Sequence, residues 1–86
     1  MVTTKTMTKL LSDISPGQTV RVRELPNGVF RTQLIRLGIY EGLLIECFER
    51  LPGGTMVVRR GRSQISIGRL LAESIRVSVE DYTTDD

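Results

Sequence analysis

The 86-residue chain has no histidine and no tryptophan, a single cysteine, and only four aromatic residues, two Phe and two Tyr. Lacking histidine, it lacks the commonest general base and the commonest transition-metal ligand. A lone Cys47 excludes an intramolecular disulfide and any thiol cluster for zinc or iron–sulfur. No apolar run approaches the roughly 20 residues of a membrane span. The Thr-rich stretch from Met1 to Lys9 offers no apolar segment of the signal-peptide kind, so the expectation is a cytoplasmic chain. Its length allows one small domain, which buries only about 60% of the surface its unfolded chain exposes and has little left for a deep catalytic pocket.

What is present is positive charge, unevenly placed. All 12 Lys and Arg and 6 of the 10 acids fall in residues 1–79, giving a body of +6, while Glu80, Asp81, Asp85 and Asp86 give the end of the chain −4. A basic body points to an anionic partner, whether nucleic acid, a lipid surface or an acidic protein face; scattered arginines also simply keep a small domain soluble.

Periodicity supplies the elements. Thr8 precedes Lys9 to Asp13, which reads as a short capped helical turn whose Leu10 and Leu11 cover one end of the core, stopped by Pro16-Gly17. Gln18 to Glu24 alternates, Val20 and Val22 facing one way and Thr19, Arg21 and Arg23 the other. After the Pro26-Asn27-Gly28 turn, Phe30, Leu34 and Leu37 repeat at helical spacing with Ile35 beside them, predicting a short helix ended by Gly38. Leu43 to Leu51 alternates as a strand with Leu43, Ile45 and Cys47 inward and Leu44, Glu46 and Phe48 outward. Thr55 to Arg60 and Gln64 to Ile67 form a hairpin around Gly61-Arg62-Ser63, a short turn follows from Gly68 to Ala72, and Ser74 to Val79 closes the domain. The expected fold class is all-β: an SH3-like antiparallel β-barrel of about five strands, with one short helix after the first strand and a helical turn near the N-terminus. Residues 1–7 are expected as a flexible tail, 8–79 as the barrel domain and 80–86 as an acidic disordered tail.

No catalytic constellation emerges, so no enzyme is expected. The serines have no histidine to activate them, and each glycine is a turn residue rather than part of a phosphate loop. Cys47, on an inward strand phase, reads as a small hydrophobe. Glu46 and Glu49, three apart on a strand, face opposite ways unless a bulge intervenes, so no metal site and no cofactor are expected. Arg59, Arg60 and Arg62 cluster near a hairpin tip, where guanidinium groups can grip carboxylate or phosphate oxygens; a solvated turn is the plainer reading. Leu44 and Phe48 form an outward apolar strip, read as a partner surface or a weak self-association edge, against burial under the Phe30–Leu37 helix. The scarcity of aromatics argues against a nucleic-acid stacking platform and against a proline-rich peptide groove.

In order and spacing, Leu10-Leu11 before Pro16-Gly17-Gln18, Arg31 to Leu34, Leu37-Gly38-Ile39 with Gly42, Pro52-Gly53-Gly54, Ile65-Ser66-Ile67-Gly68, Ala72 and Ile75-Arg76-Val77 resemble the FeoA family. The resemblance covers about residues 8 to 79. It implies an SH3-like barrel with a helix between its first two strands and a non-catalytic role in uptake of a transition metal, Fe(II), through contact with the cytosolic part of an FeoB-type transporter. The membrane is then met only through the transporter, and there is no small-molecule substrate. A similar domain ends iron-dependent repressors of the DtxR type, where it is attached to a DNA-binding winged helix; a stand-alone regulator of that kind is not expected here. The expected partner-binding residues are Arg31, Arg36, Leu44, Phe48, Arg59 and Arg60. The alternative is a small basic regulatory adaptor that binds nucleic acid or another protein and is unrelated to transport.

Overall fold

Alternating Val, Ile and Thr residues separated by glycine turns build one antiparallel sheet, because the period-two pattern lets one face of every strand leave water. The computed structural model describes the backbone of residues 2–84 and the side chains of residues 7–79. In chain order the elements are β1 (Val2–Leu10), a 3-10 turn (Leu11–Asp13), β2 (Thr19–Glu24), α1 (Val29–Arg36), β3 (Leu44–Arg50), β4 (Met56–Arg60), β5 (Ser63–Ile67), α2 (Arg69–Glu73) and β6 (Arg76–Thr84). The strands lie in the order β1-β6-β2-β3-β4-β5.

Two expectations change. The segment expected as a capped helical turn from Lys9 is shorter: Leu10 has extended backbone and the 3-10 turn begins at Leu11, with no side-chain cap. The terminal segments expected as tails are strand on both sides. Val2–Leu10 pairs antiparallel with β6 from Val2↔Thr84 to Leu10↔Arg76, which adds a sixth strand to the five expected. Each lends the other the ladder that neither could form alone. Asp85 and Asp86, the rest of the expected acidic tail, lie outside the described residues, as does Met1.

The core is the inward phase of these strands. Val20, Val22, Ile45, Cys47, Met56, Val58, Ile67, Ile75 and Val77 are buried, joined by Leu11, Ile14, Leu34, Ile39 and Ala72 from the turn and helices. Backbone bonds tie the connections down: Leu11 N–H donates to Ile75 O at 2.9 Å, and Gly17 N–H donates to Cys47 O at 2.8 Å.

The helix that follows β2 is anchored at a single point. Of its expected stripe only Leu34 is buried; Phe30, Ile35 and Leu37 are exposed. Eight residues make about two turns, so one side chain reaches the core and its neighbours at i−4, i+1 and i+3 stay on the wet flanks. Its end is well built. Ile39 N–H donates to Leu34 O at 2.9 Å and Gly38 N–H to Ile35 O at 3.0 Å, the Schellman pattern, and Leu34 and Ile39 bury together. Gly38 has φ +88, where a side chain is strained, and a Cβ there would run into the Arg60 guanidinium.

Candidate functional site

Because β3 alternates strictly at its start, it carries the core on one side and a wet apolar strip on the other. Ile45 and Cys47 are 1% exposed, whereas Leu44 is 51% and Phe48 39% exposed. Leu44 and Phe48 are therefore outward and not covered by α1. Their rows follow from the ladder: Leu44 opposes Arg21 of β2, which opposes Ser78 of β6, while Glu46 lies between Thr19 of β2 and Arg59 of β4.

A register shift between Cys47 and Glu49 leaves Phe48 as the extra residue of a β-bulge, with no partner in β4. The bulge sets the ring under Arg59, whose guanidinium carbon lies 3.8 Å from the ring centroid. A cation over an aromatic face is attracted by the ring quadrupole, by about 0.5–1 kcal/mol at an exposed site. Leu44, Phe48 and Arg59 are thus assembled into one outward patch, flanked by Arg21, whose Nη1 donates to Gly42 O at 2.8 Å. Glu46 is half-buried beside them.

The other arginines go elsewhere. Arg60 is next to Arg59 in sequence but on the opposite strand phase, and its Nη1 donates to Gly38 O at 2.8 Å, roping β4 to the end of α1. Arg31 pairs with Glu41 at 3.3 Å across the exposed loop after α1. Arg36 is exposed on the last turn of α1. Arg62 is exposed in the β4–β5 turn, so the three basic residues at the hairpin diverge rather than cluster. The two residues that sequence reasoning did not put in the patch are Arg21 and Glu46. Both were visible as outward phases of their strands, but only the pairing shows that they flank Leu44 and Arg59.

Burial raises the pKa of the Cys47 thiol; the nearby Arg50 partly offsets this and Glu46 adds to it. The thiol approaches the Ile14 carbonyl at 3.9 Å and stays a core side chain. The bulge does turn Glu49 toward the face of Glu46. Among the described residues, however, no group of three or more acidic or cysteine side chains is placed to hold a metal ion. No helix among them is long and apolar enough to cross a membrane.

Known proteins share this fold. The family model described as FeoA domain matches residues 9–79. The chain is similar in structure to an iron uptake regulatory protein (FeoA), with 28% identity, a TM-score of 0.77, and coverage of 87% of this chain and 100% of that one. It is also similar to iron(II) transport protein A from Clostridium thermocellum, with 29% identity and a TM-score of 0.76, covering 83% of this chain and 45% of that one. A manganese-dependent transcriptional repressor has the same fold at 17% identity, with a TM-score of 0.77, covering 84% of this chain and 41% of the repressor. No curated protein matches the sequence.

Proposed function

Since this chain belongs to the FeoA domain family, which is associated with ferrous iron transport, we propose that it is a non-catalytic, cytoplasmic accessory protein. In this reading it has an SH3-like barrel, docks on the cytosolic part of an FeoB-type transporter and modulates Fe(II) uptake. The observation that carries the reading is the outward patch of Leu44, Phe48 and Arg59. Like the wet flanks of α1, this strip is apolar surface left out of the core, and an apolar strip kept wet beside an arginine is what a protein partner would cover. Arg31 and Arg36, on α1, and Arg60, roped to Gly38, support the domain or steer encounter rather than join that contact.

The test is an NMR titration of the isotope-labelled chain with the cytosolic part of the FeoB-type transporter encoded in the same genome, alongside Fe(II) uptake by cells. Shifts centred on β3 and β4, and reduced uptake with Leu44→Asp and Phe48→Asp in a folded chain, are expected. Unchanged spectra with unchanged uptake overturn the reading. The basic body favours a second reading, an adaptor for nucleic acid, which predicts duplex binding that weakens steeply with added salt.

A further inference from the structure

Phe48 and Arg59 together have a chemistry that neither has alone. An arginine in water samples many rotamers and loses that freedom when it grips a ligand. With its guanidinium carbon 3.8 Å from the Phe48 ring centroid, Arg59 has already given up much of it, and the N–H donors of a guanidinium lie in its own plane as a fork that matches a carboxylate. Among the described residues no carboxylate lies within 4.0 Å of this guanidinium. Glu46 is its direct cross-strand neighbour, yet Arg59 lies over the ring instead of closing on that carboxylate.

We propose that Arg59, braced on Phe48, is a receptor for a partner's carboxylate. The outer face of β3 and β4 then takes a segment of a protein partner that presents one Asp or Glu to Arg59 and one aliphatic side chain to Leu44. This rests on the docking reading above and names the chemistry of what docks. The spacing supports it. Leu44 and Arg59 are diagonal neighbours on adjacent strands, roughly 7–8 Å apart. Side chains two apart on a strand are separated by about 7 Å, and those three or four apart on a helix by about 5–6 Å, so a short regular segment can fill both positions. Charge complementarity points the same way. Arg21 stands across from Leu44 and the body carries +6; Glu46 and, past the bulge, Glu49 are acids on this face, and Glu46 is the one directly across from Arg59. That acid gives the proposal a sign that a purely apolar patch would not have, because its charge repels an incoming carboxylate.

The experiment titrates the full chain and its variants with the cytosolic part of the FeoB-type transporter, with thermal melts to confirm that each variant is folded. Arg59→Lys keeps the charge but loses the fork; it should weaken binding about tenfold, as should Phe48→Leu, which removes the brace. Glu46→Gln should tighten binding several-fold. Arg62→Gln, which removes a charge from the β4–β5 turn, should change it little. If Leu44→Asp abolishes binding while Arg59→Lys leaves it intact or Glu46→Gln weakens it, the face docks by apolar contact alone: the carboxylate receptor is overturned and the docking reading stands. If the wild-type chain does not bind, both fall. If duplex DNA at low salt, and not the transporter, is the ligand lost with Arg59→Lys, the face reads phosphate and the proposal is wrong.

Discussion

The two sides of β3 differ by one residue's rotation and answer to different demands. On the inner side Ile45 and Cys47 meet Val20, Val58 and the rest of the core, where close packing makes every methyl group count. On the outer side Leu44 and Phe48 are half-wet, and the Phe48 ring carries the Arg59 guanidinium. A strand this short cannot serve the fold and a partner with the same residues, so it alternates between them. Stability and recognition should therefore be separable by mutation along a single segment.

The largest effect should come from the inner side. Ile45→Ala leaves a cavity in a packed core and should cost about 2–5 kcal/mol, read from the midpoint of urea unfolding. Next is the joint between α1 and β4. Gly38→Ala imposes left-handed backbone on a residue with a Cβ and displaces the Arg60 guanidinium; about 2–3 kcal/mol is expected in the same assay. Arg60→Ala removes the bond to the Gly38 carbonyl together with the packing of a half-buried side chain, leaves the Gly38 backbone unstrained, and should cost about 1 kcal/mol, which separates backbone strain from the lost contact.

Cys47 gives a smaller effect with a definite sign. Burial holds its pKa above the ordinary 9.0, so the fold favours the protonated thiol. That contribution is present in full below 9.0 and is lost as pH rises through the elevated folded value. Labelling with a thiol reagent at pH 8 should be slow in the native chain and fast in urea; equal rates would mean that the thiol is not a core group. The smallest effect closes the comparison: Leu44→Ala should leave stability within about 0.5 kcal/mol of wild type. A loss comparable to that of Ile45→Ala would show that the outer side is part of the core after all.

Much of this was legible in the sequence, and what was missed follows a physical pattern. Val20 and Val22, Ile45 and Cys47, Ile65 and Ile67, and Ile75, Val77 and Val79 are inward as their alternation requires, since strand period is a local property. The strand at Val2–Leu10 was not legible because its partner lies at the other end of the chain; the threonine run carries β propensity but no apolar alternation to reveal a face. The stripe on α1 misled because two turns of helix offer too few positions to separate a buried line from its flanks. In the site, Leu44 and Phe48 were readable as outward. The divergence of Arg59 and Arg60 follows from the strand period once β4 is known to run through both. The bulge at Phe48, which brings ring and guanidinium together, has no local signature and depends on the register with β4.

The pairing of the first strand with the last has a kinetic consequence. The β3–β4 and β4–β5 hairpins join neighbours in sequence and close small loops, whereas the β1–β6 ladder must bring together nearly the whole length of the polypeptide. Loop-closure entropy grows with the separation bridged, so folding should proceed outward from the central hairpins, with the β1–β6 ladder zipping last and opening first. The patch on β3 and β4 is therefore seated on the part of the chain that organises earliest, and amide exchange at its strands should be slowed even while the two ends are still breathing.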